Sequence, residues 1–152
     1  MRPDYYPTNM PSTNTILYVV CFVYLPAIFP QLVDNAGLYS YLHTLLRSSQ
    51  ATWSSLILSL ILLKRWSSKN RHRETQHVDQ ALVAALMLAS KSHFEPGYKN
   101  SAWASITGIS VSQLNSLESD FLGHIDYQLH VTVPEFKLMA SYIHGCNKPV
   151  MH

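Results

Sequence analysis

Residues 80–94 read QALVAALMLASKSHF, and from Ala81 to Ala89 not one of them is polar. A helix built from this stretch has no face to offer water, so it belongs inside a bundle, packed on several sides. Ala81, Ala84, Ala85 and Ala89 leave room for neighbouring helices to come close. Directly beyond the run stands Lys91, a charge at the end of the most apolar part of the chain. The reading of the whole sequence turns on what that lysine is for.

Around this stretch, 152 residues are enough for one domain with a real core. The chain is 47% hydrophobic and 13% charged, where about a quarter charged is usual. It is neither a disordered chain nor a polyelectrolyte, and part of its surface reads as hidden against a partner. A net charge of +2 does not by itself imply nucleic acid. Cys21 and Cys146 have the wrong number and spacing for a disulfide framework, which points to a reducing compartment, nucleus or cytoplasm.

Taken in order, residues 1–13 carry Pro3, Pro7 and Pro11 and read as an irregular tail. From Ile16 to Pro30 the chain is apolar without a break, and Leu32 and Val33 extend the run past Gln31. Membrane spans need about 20 apolar residues, with about 17 as a lower limit. Length and the prolines Pro26 and Pro30 favour a helix packed on the domain; a membrane or signal segment, or a misread start of the frame, stays as the alternative. Leu38, Tyr41, Leu42, Leu45 and Leu46 follow the helical i, i+3, i+4 pattern over 35–47. Ser48 or Ser49 then caps a nearly all-apolar helix over 51–66, too short to cross a bilayer and so buried. Lys64, Arg65, Lys69, Arg71 and Arg73 follow, with Trp66 the only aromatic among them. They read as a helix C-terminus and solvated connector rather than a nucleic-acid surface. A third helix covers 76–92. Asn100 caps a short fourth one ended by Gly108. Ser110 to Gln113 and Thr132 to Glu135 have capping-box form and open a fifth helix, to about Gln128, and a sixth, through Tyr142 and ended by Gly145. The expected fold is all-α: a bundle of five helices around a central buried helix, with flanking N- and C-terminal helices. Its expected boundaries are 1–34 for the tail and apolar segment, 35–144 for the domain and 145–152 for a C-terminal tail.

On a wheel of about 100° per residue, Leu114, Leu117, Phe121, Leu122, Ile125 and Leu129 share one arc of the fifth helix. Glu118 falls near the centre of that arc. A carboxylate there is costly unless it is paired or covered by another protein. Lys91 is the matching anomaly on the central helix. Spacing alone leaves two readings open, a functional Lys–Glu pair or two side chains that snorkel to solvent.

ALMLASK on an apolar helix, then YKNSAWASITGIS, then QLNSLESDFL resembles the cyclin box. The pattern is most similar to that of the fungal phosphate-pathway (Pcl-type) cyclins, including the aromatic of Ala102-Trp103. LILLKRW puts Arg65 in the arginine position of the second helix, and the box closes with Asp126-Tyr127-Gln128-Leu129 and Val133-Pro134-Glu135-Phe136. The likeness runs from about Leu38 to Tyr142. It implies a regulatory subunit that binds and activates a cyclin-dependent protein kinase, with Lys91 and Glu118 on the kinase's activating helix and Leu88, Phe94 and Leu122 beside them. Three features depart from the pattern: Ser92-His93-Phe94 where many cyclins have phenylalanine directly after the lysine, Gln113 for glutamate, and a chain that stops after one box. The apolar run from Ile16 to Val33 is not part of the motifs.

No enzyme is expected. The eight histidines give pairs at His72 and His77 and at His124 and His130, spacings unlike HExxH or CxxC, so no metal or cofactor site is read. Gly-rich phosphate loops and GxSxG are absent from the sequence, and no small-molecule substrate is implied. Two rival readings are a cyclin-fold adaptor without a kinase, as in general transcription factors, and a membrane-tethered adaptor using the N-terminal run.

Overall fold

The computed structural model describes residues 13–29, 35–69, 78–93 and 99–145, and every regular element within them is helical. In chain order these are α1 (Thr13–Val19), a π-helical turn (Val20–Tyr24), α2 (Leu25–Ile28), α3 (Asn35–Ser49), α4 (Trp53–Lys69), α5 (Val78–His93), α6 (Asn100–Thr107), α7 (Val111–His124) and α8 (Val133–Gly145). The all-α expectation holds.

The apolar stretch is the hub. Every residue of α5 from Ala81 to Ala89 is buried. Its longest contact is with α4, and α7 packs against it as well. In α4 the ten residues from Ser54 to Leu63 are all buried. The buried Ser59 hydroxyl is satisfied within its own helix, donating to the Leu56 carbonyl at 2.6 Å.

The N-terminal apolar run packs on the domain. Ile16, Leu17, Val19, Val20, Cys21, Tyr24, Leu25 and Phe29 are buried in the same core as α3 to α8, while Tyr18, Phe22 and Val23 are exposed. Among the described residues no helix is long and apolar enough to cross a membrane. Residues 30–33 of the run lie outside the described residues.

Pro26 does not end this helix; it changes its register. In the π turn the Leu25 N–H bonds to the Val20 carbonyl, five residues back. In that register the Cys21 carbonyl would take its bond from residue 26, and proline has no N–H to give. Asn35, from the start of α3, supplies the missing donor: its Nδ2 lies 3.1 Å from the Cys21 oxygen. A carbonyl left bare here would be buried and costly.

Several helix starts differ from expectation by a few residues. Thr52, not Ser48 or Ser49, caps α4, its hydroxyl accepting from the Ser55 N–H at 3.1 Å. Ser49 lies inside α3, which ends in a left-handed Gln50 (φ 54°). At Ser110 the expected cap forms, accepting from the Gln113 N–H at 3.1 Å. At Thr132 the capping box is complete in both directions, with Glu135 N–H on Thr132 Oγ1 at 3.2 Å and Thr132 N–H on Glu135 Oε1 at 3.4 Å. α6 ends as read, with Gly108 in the left-handed region at φ 76°. α7 stops at His124 rather than near Gln128, and α8 ends at Gly145 as read.

Arg65 ties the end of the bundle together. Its guanidinium donates to the carbonyls of Gln128 (2.6 Å) and His130 (3.0 Å) and to both carboxylate oxygens of Glu135 (3.0 and 2.8 Å). One side chain at the end of α4 thereby fixes the path from α7 into α8.

Candidate partner-binding site

Three helices meet at the site. The last turn of α5 delivers Lys91, the start of α6 delivers Asn100, and the middle of α7 delivers Asn115 and Glu118. α7 lies with Leu114, Phe121 and Ile125 buried and Leu117 and Leu122 half-buried, so Glu118 is held against the bundle rather than in open solvent. Its side chain is 15% exposed and that of Lys91 31%.

The two misplaced charges satisfy one another, Lys91 Nζ standing 2.7 Å from Glu118 Oε2. Neither snorkels away alone. A carboxylate this covered needs more than one donor, and the second comes from Asn100, whose Nδ2 is 3.3 Å from Glu118 Oε1. The same carboxamide accepts from Lys91 through Oδ1. Its remaining N–H goes to Asn115 Oδ1 at 2.5 Å.

Asn100 was expected to cap α6. Lys99 holds that place instead, in extended conformation and without a side-chain bond, its carbonyl accepting from Ala102 and Trp103. The helix therefore starts one residue earlier than read, and the Asn100 side chain is free to turn into the site. Trp103, fully buried, anchors this short helix in the core and so sets where Asn100 lies.

A count of donors and acceptors says what the cluster has left to offer. Among the described residues Lys91 finds partners for two of its three side-chain N–H bonds, both inside the cluster, and keeps one. Glu118 keeps unused lone pairs on both oxygens. Asn100 has spent both N–H groups. The arrangement is a neutral pair with one donor and several acceptors still open, suited to peptide carbonyl and N–H groups of another chain.

Of the other expected contact residues, Leu122 is half-buried at the same end of α7. Leu88 is 5% exposed, a core residue one turn before Lys91 on α5. Phe94 lies outside the described residues. The sequence reading passed over Tyr127 as a contact. It is 71% exposed, sits in the left-handed region at φ 58°, and bonds its N–H to the Leu122 carbonyl at 2.9 Å. A tyrosine held there is strained, and the strain presents a large aromatic just past the C-terminal end of α7.

Two of the described cations of the basic run are paired. Arg65 is spent on Glu135, and Lys69 is paired with Asp126. Arg71 and Arg73 lie outside the described residues. A groove of about 510 Å³ between α2, α4 and α8, lined by Ile28, Lys64, Leu138 and Tyr142 among others, contains no member of the Lys91 cluster.

A family model described as Cyclin matches residues 10–129. The match begins early enough to take in the apolar N-terminal run that the motifs left out. Cyclin-U2-1 of Arabidopsis thaliana is 30% identical over 113 residues, 73% of this chain and 51% of its own length. Cyclin-U4-1 of the same plant is 28% identical over 110 residues, 68% of this chain and 52% of its own. Cyclin-P2-1 of Oryza sativa subsp. japonica is 36% identical over 67 residues, 44% of this chain and 31% of its own. The chain spans about half the length of the first two.

Proposed function

The chain belongs to the cyclin family, and on that premise we propose that it is a regulatory subunit that binds and activates a cyclin-dependent protein kinase. The observation that carries this reading is the half-open Lys91–Glu118 pair, built at the junction of α5, α6 and α7 with bonding capacity left over. The remaining Lys91 N–H meets a partner carbonyl, and the open lone pairs of Glu118 accept partner N–H groups. Leu122, one turn after Glu118 on α7, supplies apolar area beside them. The partner's activating helix is the matching element, because its backbone ends offer such groups and its position governs the Lys–Glu ion pair of the kinase active site. Activation is then a population shift, since the cyclin binds the active kinase conformation better than the inactive one. The chain is a regulator and supplies no catalytic group.

The phosphate-pathway class is the finer part of the proposal. It is supported by ALMLASK, the Ala102-Trp103 helix and LNSLESDFL in their order and spacing. The protein acts wherever its kinase is, in nucleus or cytoplasm. The test is to purify the chain with candidate kinase catalytic subunits and measure phosphoryl transfer. A stable complex with stimulated transfer supports the proposal. A complex without stimulation makes the chain an adaptor, and no complex overturns the reading.

A further inference from the structure

The Lys91–Glu118 pair could satisfy itself in several ways, yet one uncharged side chain touches both members. Asn100 accepts from Lys91 through its oxygen and donates to Glu118 through its nitrogen. A carboxamide is the side-chain group that offers an acceptor and donors from one rigid plane, without a charge to compete with either ion. The two ions set which way that plane faces: flipped, it would turn its NH2 toward the ammonium and its oxygen toward the carboxylate. Asn115 Oδ1, one turn before Glu118 on α7, takes the other Nδ2 proton at 2.5 Å and braces that orientation.

We propose that Asn100, braced by Asn115, is a positioning residue that holds Lys91 and Glu118 in their binding posture before a partner arrives. With both Nδ2 protons spent inside the cluster, the Asn100 side chain has no N–H left to offer a partner. Its effect is on readiness: it raises the fraction of molecules in which the donor of α5 and the acceptors of α7 already stand where an incoming backbone needs them. Loss of such readiness lowers apparent affinity by the competent fraction and slows association, with little change in how fast a formed complex falls apart.

Two measurements test this. The first uses the free chain alone: the Lys91 ammonium proton–nitrogen NMR signal, at mildly acidic pH, is slow-exchanging while Lys91 is held. The signal is expected in wild type, lost in Asn100→Ala and weakened in Asn115→Ala. In Asn100→Asp it shifts as the new carboxylate draws Lys91 off Glu118. The second measurement rests on the kinase reading. In stopped-flow binding to the kinase catalytic subunit, Asn100→Ala is expected to slow association about tenfold and leave dissociation within about twofold. Asn115→Ala gives a smaller change in the same direction. A residue needed only for packing would lower the melting temperature and leave the Lys91 signal of the folded fraction intact. If Asn100→Ala does not fold, the exposed Asn115→Ala decides by the same two readouts. An unchanged Lys91 signal, or a loss confined to dissociation, overturns the proposal. Failure of the wild type to bind any kinase overturns the partner reading instead, and the free-chain signal still decides the posture.

Discussion

Lys91 and Glu118 are 27 residues apart in sequence, on different helices, and their charged atoms stand 2.7 Å apart at the edge of the core. Because both keep open bonding capacity, the pair can be tested for two separable roles. Exchanging the residues, Lys91→Glu with Glu118→Lys, rebuilds an ion pair and is expected to keep stability within about 1 kcal/mol of wild type. It also exchanges donor and acceptor on the docking face, so kinase binding is expected to stay lost. Chemical denaturation and a pull-down on the same sample check both halves. Recovery of binding in the exchanged protein would mean that only the charge balance matters.

Asn35 and Pro26 form a compensating couple around the Cys21 carbonyl. Asn35→Ala leaves that carbonyl without a donor and is expected to cost about 1–2 kcal/mol. Pro26→Ala returns a backbone N–H at the position where the π register needs one. The double variant should therefore lose less than the sum of the two single losses. Urea titrations of the four proteins measure the coupling, and strict additivity would contradict the account.

Arg65 makes its bonds with a planar fork that lysine lacks. Arg65→Lys is expected to lose most of the clasp, destabilising the chain by about 1.5–3 kcal/mol. Amide exchange should speed up across 128–135 before it does in α5. Uniform faster exchange would show that the clasp does not act locally.

Burial pushes the Cys21 thiol from 9.0 up to about 12. It also raises Tyr24, with Tyr142 adding to the effect, and Tyr41, with Asp79 adding to it. Each group stays neutral in the fold where the unfolded chain would ionise it. The stability they contribute is full below about pH 9 and is lost as pH rises toward the folded values. The melting temperature should therefore fall steadily on the alkaline side. Tyr24 donates to the Leu60 carbonyl at 3.1 Å, so Tyr24→Phe should start about 1 kcal/mol lower and show a shallower alkaline decline. An equally steep decline would remove Tyr24 from the account.

Much of this was legible in the sequence for one physical reason: burial on all sides demands an unbroken apolar run, and α4 and α5 each carry one. Lys91 and Glu118 stood out against such runs as charges needing a partner. Their pairing was not legible, because spacing along a chain does not say which helix edges meet. Asn100 was misread since an asparagine before a short helix has the form of a cap. The Lys99 carbonyl opens the helix one residue earlier and releases the side chain. Tyr127 carried no signal, as nothing in a tyrosine announces positive φ. Pro26 read as an interruption because the donor that compensates for it comes from another helix.

The central claim is that Lys91 and Glu118 form a docking site and not merely a structural tie. The most direct measurement is the affinity of Lys91→Ala and of Glu118→Ala for the kinase catalytic subunit, with helix content and melting temperature recorded on the same samples. The account predicts that each variant binds at least about tenfold more weakly while remaining folded, with a stability loss of about 1 kcal/mol. Folded variants that bind and activate the kinase as wild type does would contradict it.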